Sequence, residues 1–357
     1  LALQYDQYMT PLDPSREDSG QTGDIHIVQT PSISAPTVTG SGVMIVHRSL
    51  ERAISGYRVD PLSPWTGLAP LLLQLRPSRS CAITHAQPEL GPWVADREST
   101  LVATFHSYSL DPELLEWMTP QQRMVHRLMI APAVAAFLKR AKWITAVSDF
   151  TAGLVVHHHR VGKRLVVIKN GVDSSIFRPM PAAQRDSVNI LFAGNPRRLK
   201  GTHHLEALAD LLPDGVSVQY TSGLRSSGVD IPSKKAKLTA MPRRSHTQMA
   251  ELYQQADILF FPTLREGLSL AVLEAMACGL PIVATRCSSM PELVEHGKGG
   301  FLFDMNDRGQ MLQYLLKLAG DPVLRAEMGA YNRERVLARF TLQQMLNGYQ
   351  EVFSACG

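Results

Sequence analysis

No run of 18 or more apolar residues occurs in the sequence, so no segment reads as a membrane-spanning helix. Cysteine is scarce. Cys81, Cys278, Cys287 and Cys356 are the only four in 357 residues. They form no CxxC or metal spacing, which argues against a disulfide scaffold and fits a reducing cytosol. Neither a Gly-x-x-x-x-Gly-Lys-Ser/Thr loop nor a Gly-x-Gly-x-x-Gly turn is present, which weakens kinase and dehydrogenase readings. The net charge of +4, from 36 basic and 32 acidic residues, is too small to imply nucleic acid. No basic and apolar leader opens the chain, although it starts at Leu1 rather than Met, which leaves open that residues precede it.

What is present reads as an ordinary globular balance, 45% hydrophobic and 19% charged. The length suits roughly two domains at ~150 residues each. Continuous apolar stretches alternate with helical patterns. Strands are expected at Ile25–Gln29, Cys81–His85, Leu101–Phe105, Trp143–Val147, Leu165–Ile168, Asn189–Ala193, Val216–Tyr220, Ile258–Pro262 and Pro281–Thr285. Runs of this kind are buried on both faces, as in parallel sheets covered by helices. The fold class is therefore α/β, with two doubly wound units. The stretch FRPMPAAQRD (177–186) suits a linker. It places a first unit at 1–178 and a second at 179–339, with a final helix at 340–357 packing back on the first. Ligands are expected in the cleft where strand carboxyl ends face each other.

Residues 256–285, ADILFFPTLREGLSLAVLEAMACGLPIVAT, carry the most information. A strand runs into Glu266-Gly267, a helix begins near Leu268, and Gly279-Leu280-Pro281 leads into the next strand. First-turn N–H groups around Ser269, Leu270 and Ala271 offer an anion site. Glu266 and Glu274 are eight residues apart, roughly 12 Å along a helix. That spacing suits hydroxyls at both ends of a ligand with a diphosphate between them, as in a nucleotide sugar. In ILFAGNPRRLKG (190–201) a strand ends at Gly194, and Arg197, Arg198 and Lys200 follow. Cations there would neutralise a departing diphosphate; a loop that is merely exposed and basic is the alternative.

The stretch EGLSLAVLEAMACGLPIVAT resembles the E-x7-E signature of the family 4 retaining glycosyltransferases, which have the GT-B fold. ITAVSDFTAGLV (144–155), VVIKNGVDSSIFRP (166–179), the 190–201 loop and LVATFHSYSLDP (101–112) resemble further family segments in the same order. By this resemblance Glu266 binds donor-sugar hydroxyls, Glu274 the ribose, and the N–H groups of Leu270 and Ala271 the phosphates. Lys200 matches the lysine of the phosphate loop. Asn195 stands where the family often has arginine, so that role falls to Arg197 or Arg198. His106 matches a histidine near donor and acceptor. Gly40 and Gly42 resemble a glycine loop after the first strand, although a simple turn reads equally well.

The resemblance implies transfer of a hexose-type sugar from a nucleoside-diphosphate donor, bound by the second unit, to a hydroxyl acceptor on the first, with retention. No metal and no other cofactor is expected, since no Asp-x-Asp pair occurs. Alanine at Lys200 or Glu274 is expected to cut turnover by orders of magnitude and leave folding intact. A non-catalytic nucleotide-sugar-binding protein, or an epimerase or phosphorylase on the same fold, are the alternatives. Between Arg123 and Lys169 nine basic residues face one acid, Asp149. The amphipathic stretch 121–140 within it reads either as an anionic-membrane contact or as a core helix with solvated charges, broken near Pro132. His157–His159 reads as a solvated run. The expected location is cytoplasmic, peripheral on the membrane face if that contact forms. Gly223–Arg225 and Arg243–His246 are candidates for selecting base and sugar.

Overall fold

A computed structural model describes residues 31–63, 73, 80–180, 187–194, 198–221, 238–242 and 244–356. The expected strand at Ile25–Gln29 lies outside them. The first sheet contains β1 (Ile33–Val38), β2 (Tyr57–Leu62), β3 (Ile83–Ala86), β4 (Thr100–Phe105), β5 (Trp143–Ala146) and β6 (Leu165–Val167), in the order β2-β1-β3-β4-β5-β6. The second contains β7 (Val188–Phe192), β8 (Val216–Thr221), β9 (Leu238–Met241), β10 (Ile258–Phe261), β11 (Ile282–Thr285) and β12 (Gly300–Phe303), in the order β12-β11-β10-β7-β8-β9. Every pairing described is parallel. Two Rossmann-like α/β units result, as the alternating pattern predicts.

Burial explains the unbroken apolar runs. Ile190, Leu191, Phe192, Ile258, Leu259 and Phe260 are wholly buried, because helices cover both faces of the second sheet. The order of the second sheet reverses between β7 and β10. A crevice opens at their carboxyl ends, the position where such sheets bind ligands. Gly194 follows β7, and the Glu266 turn follows β10.

The chain crosses between the units twice. The Val172 N–H donates to the Phe340 carbonyl, and the Leu342 N–H to the Val172 carbonyl, each at 2.9 Å. The helix Leu342–Ser354 then buries Met345, Tyr349 and Phe353 in the same cluster as Ile33, Val46 and Leu50 of the first unit. A Cβ on Gly171 would lie 2.3 Å from the Thr341 carbonyl oxygen, so the crossing strands touch at backbone distance.

One expectation is overturned. The helix after Pro120 is not broken at Pro132. Residues Pro120–Val125, His126–Ile130 and Ala131–Arg140 run on without a gap, and the middle segment widens into a π turn. A proline ring clashes with the carbonyl four residues back, here Leu128, and the wider turn relieves that clash. Among the described residues no helix is long and apolar enough to cross a membrane.

Candidate functional site

The site is assembled from loops that the two sheets aim at each other. Ser269 caps the helix Leu270–Ala277, accepting from the Val272 N–H at 3.4 Å. The N–H groups of Leu270 and Ala271 fall in the first turn, which has no acceptors of its own. This start is two residues later than the Leu268 read from the sequence, because the Ser269 hydroxyl competes as a cap. Just before it, Glu266 is fixed from several sides. The Thr263 hydroxyl donates to its Oε1 at 3.1 Å, and its own N–H donates to Ser288 Oγ at 3.0 Å. Lys200 Nζ pairs with the same Oε1. The loop lysine and the turn glutamate are therefore direct neighbours, although 66 positions apart.

Gly201 explains how Lys200 reaches that place. Its φ is +76°, and an added Cβ would lie 2.0 Å from the Pro262 carbonyl oxygen. Only glycine meets both demands. Gly201→Ala is expected to cost about 1–3 kcal/mol through forced displacement of the β10 end, read as a lower urea midpoint. An unchanged midpoint would contradict this packing. Gly194 is held by Thr221, whose hydroxyl accepts from its N–H at 2.9 Å and donates to its carbonyl at 3.0 Å. Among the described residues nothing lies within 4 Å of where a Gly194 Cβ would be. Arg198 starts a short 3-10 turn ending at Lys200. Arg197 and Asn195 lie outside the described residues, as do Gly223–Arg225 and Arg243.

Glu274, 4% exposed, sits inside the helix with both oxygens engaged. Tyr253 donates its hydroxyl to Oε2 at 3.0 Å, and His246 Nε2 lies 2.7 Å from Oε1. Each carboxylate oxygen can accept more than one bond, so a diol could still dock there. Sequence reasoning did not foresee Tyr253. Its signal was the i, i+7 spacing from His246, which puts both on one face of the helix His246–Gln255.

Across the cleft, Gly40 and Gly42 lead from β1 into the helix Gly42–Ala53, capped by Ser41. His106 follows β4 directly. Burial lowers its pKa from the ordinary 6.5 to about 4, so its ring is neutral near pH 7. Its Nε2 is buried, with no partner among the described residues. Gly267 approaches from the other unit so closely that a Cβ would lie 1.8 Å from the His106 carbonyl oxygen.

Behind His106 runs a buried polar chain that the sequence did not reveal. His47 Nδ1 and the Tyr57 hydroxyl are 2.6 Å apart, and that hydroxyl is 2.7 Å from His85 Nδ1. His85 Nε2 continues to Thr104 Oγ1 at 2.6 Å, and Thr104 to Thr145 Oγ1 at 2.6 Å. The His47 ring lies 5.4 Å from that of His106. Burial lowers the pKa of His85 to about 3 and that of His47 well below 6.5. All three histidines are neutral when folded and gain protons readily only when unfolded. Stability should therefore fall as pH drops from 6.5 towards 4, by up to about 1.4 kcal/mol per pH unit for each. Melting temperatures between pH 7 and 5 check this; a flat profile would contradict it.

These loops enclose one cavity of about 560 Å³. From the first unit Gly40, Gly42 and His106 line it. From the second come Gly194, Lys200, Glu266, Ser269, Leu270, Ala271 and Glu274. Arg244 also lines it, with a buried Nε that has no partner among the described residues. Lysine, glutamates, an open helix start and a neutral histidine thus converge from both units on a space large enough for a small phosphorylated ligand. His157–His159 stand apart from it; His159 Nε2 meets the Tyr108 hydroxyl at 3.0 Å. Among the described residues no group of three or more metal-ligating side chains is found.

Comparison with known proteins bears on family and fold. A family model described as Glycosyltransferase Family 4 matches residues 21–176, and one described as Glycosyl transferases group 1 matches residues 231–335. A D-inositol 3-phosphate glycosyltransferase of Pseudarthrobacter chlorophenolicus is 30% identical over 254 residues, covering 64% of this chain and 59% of that protein. One of Arthrobacter sp. is 32% identical over 199 residues, covering 50% and 47%. The chain thus spans less than two thirds of the length of these relatives. Sucrose-phosphate synthase from Thermosynechococcus elongatus superposes with a TM-score of 0.72 at 20% identity, over 90% of this chain and 99% of that one. Anabaena HepE in complex with UDP and glucose does so with 0.72 at 17%, over 91% and 99%. At such identities the structural likeness speaks for the fold.

Proposed function

We propose, for a chain that belongs to the family 4 glycosyltransferases of the GT-B fold, that it moves a hexose-type sugar from a nucleoside-diphosphate donor to a hydroxyl acceptor. The observation that supports this best is the contact of Lys200 with Glu266 at the open start of the Glu274 helix, across one cavity from His106. A donor diphosphate would take Lys200 from Glu266 and rest against the N–H groups of Leu270 and Ala271. Glu266 would be released to the sugar hydroxyls, and the ribose would meet Glu274. The charge of the departing diphosphate would be balanced by Lys200 and neighbouring arginines, with no divalent ion in the reaction.

Retention follows if the acceptor oxygen attacks from the face the diphosphate leaves. The bond from the anomeric carbon to the phosphate oxygen breaks, the bond to the acceptor oxygen forms, and the acceptor proton passes to the departing phosphate oxygen. No carboxylate is placed as a nucleophile in this scheme. Neutral His106 would orient the donor sugar or the acceptor through its Nε2. Binding of UDP and UDP-glucose by HepE makes uridine nucleotides the first donors to try.

The acceptor would come from the first unit's side. Trp117, Met124, Val125 and Leu128 are exposed there, with Arg123 and Arg127 in the same stretch. That surface suits an anionic membrane carrying a lipid-linked acceptor.

A thermal-shift panel of nucleotide sugars tests the donor. Ligand at 100 times its dissociation constant stabilises by about 2.7 kcal/mol. Release of nucleoside diphosphate that depends on an added hydroxyl acceptor, with the anomeric configuration of the product unchanged, supports the full reading. No stabilisation by any nucleotide sugar would sink it.

A further inference from the structure

The residue in front of Glu266 fastens its loop to the opposite unit. Arg265 reaches Asp111 Oδ2 through Nε and Nη2, and its Nη1 donates to Glu113 Oε2 at 2.7 Å. Asp111 is 2% exposed and also caps the helix Pro112–Glu116, accepting from the Glu113 N–H at 3.1 Å. The guanidinium lies 4.7 Å over the Phe150 ring. A second crossing contact meets the first at this point. Glu292, from the second unit, accepts from the N–H groups of Phe150 at 2.7 Å and Asp149 at 3.0 Å. Its carboxyl group sits at the start of the helix Asp149–His158, where the helix dipole favours negative charge.

Arg265 lines the cavity, yet each of its three nitrogens is already paired with one of two carboxylates. A cation neutralised in this way has little charge left for a diphosphate, whereas Lys200 must give up only one carboxylate. The planar fork suits two fixed acceptors and stacking on a ring, which a lysine cannot reproduce. Residues 265–267 form one short lever. With Arg265 seated on Asp111, Gly267 rests on the His106 carbonyl, and Glu266 and His106 line the same cavity. With the units apart, both carboxylates regain water, and the Glu266 N–H keeps only its tie to Ser288 within its own unit.

We propose that Arg265 is a positioning residue: its pairing with Asp111 and Glu113 couples closure of the cleft to alignment of Glu266 with His106. This rests on the transferase reading of the same site. Nucleotide binding belongs to the second unit and should not need the latch, whereas transfer should.

Arg265→Lys keeps the charge and loses the fork, and Glu113→Gln is a milder variant on a half-free partner. Calorimetry with UDP, steady-state kinetics and small-angle X-ray scattering in UDP are compared with the unsubstituted protein. Arg265→Lys should keep UDP affinity within about threefold, lower kcat by about tenfold or more, and raise the acceptor KM. Glu113→Gln should move kcat the same way by less. The radius of gyration should be larger in Arg265→Lys. Unchanged kcat in Arg265→Lys would overturn the proposal. So would UDP affinity falling in step with kcat, since Arg265 would then be a donor contact. The scattering comparison does not depend on activity: an equal radius counts against the latch even if no transfer is found, and absence of transfer counts against the transferase reading alone.

Discussion

Alanine at position 200 is expected to lower turnover by about 10²–10³-fold, the usual loss when one preorganised charge-stabilising donor is removed. Lys200 pairs with Glu266 and lines the same cavity as the open helix start. Its ammonium also lies 5.8 Å from the centroid of the Phe261 ring. In the proposed reaction its removal would take away one counter-charge of the departing diphosphate at the moment negative charge develops. Folding should suffer little. The Lys200–Glu266 pair is partly solvated, with side-chain exposures of 30% and 14%, and Glu266 keeps Thr263 and Ser288. Initial rates at saturating donor, together with the melting temperature, separate the two effects. Normal turnover with alanine at position 200 would contradict the assignment.

Glu274→Ala is expected to act on both binding and stability. Loss of a charge-assisted hydrogen bond to the ribose, worth about 1.5–3 kcal/mol, should weaken donor binding by roughly 10–150-fold. The sequence alone suggests that folding stays intact, and the burial of this carboxylate changes that expectation. The Tyr253 hydroxyl is wholly buried and donates to Glu274 Oε2. Left without an acceptor, it should cost a further ~1–3 kcal/mol of stability. Glu274→Ala/Tyr253→Phe removes both partners and should recover most of that stability without recovering donor affinity. Urea unfolding and nucleotide titration of the single and double variants check this. Recovery of both, or of neither, would contradict the double role.

The fold was legible wherever burial imposed an unbroken apolar run. Ile258–Phe261 and Ile282–Thr285 are examples, each wholly apolar or β-branched and buried on both faces. The four strands missed were hidden for physical reasons. Pro36 and Pro61 interrupt β1 and β2, and proline ordinarily argues against a strand. The edge strand β9 has two exposed residues at its centre, and β12 is only four residues long behind a glycine run.

At the site, Glu266, Glu274 and Lys200 stand out in the sequence because they lie in local motifs, a strand–turn–helix run and a basic loop, that resemble those of a known family. The contacts that complete them are long-range. Arg265 finds Asp111 154 positions away, and Glu292 finds Phe150 142 positions away. No local pattern encodes such meetings, and they arise only once two sheets face each other. The chain from His47 to Thr145 is hidden for the same reason, since its members sit on one helix and four different strands.

The most direct test is a crystal structure with a bound nucleoside-diphosphate sugar. The diphosphate should bridge Lys200 Nζ and the N–H groups of Leu270 and Ala271, with the ribose on Glu274 and the sugar between Glu266 and His106. A ligand seated outside this cleft, or one whose phosphates leave Lys200 still paired with Glu266, would contradict the account.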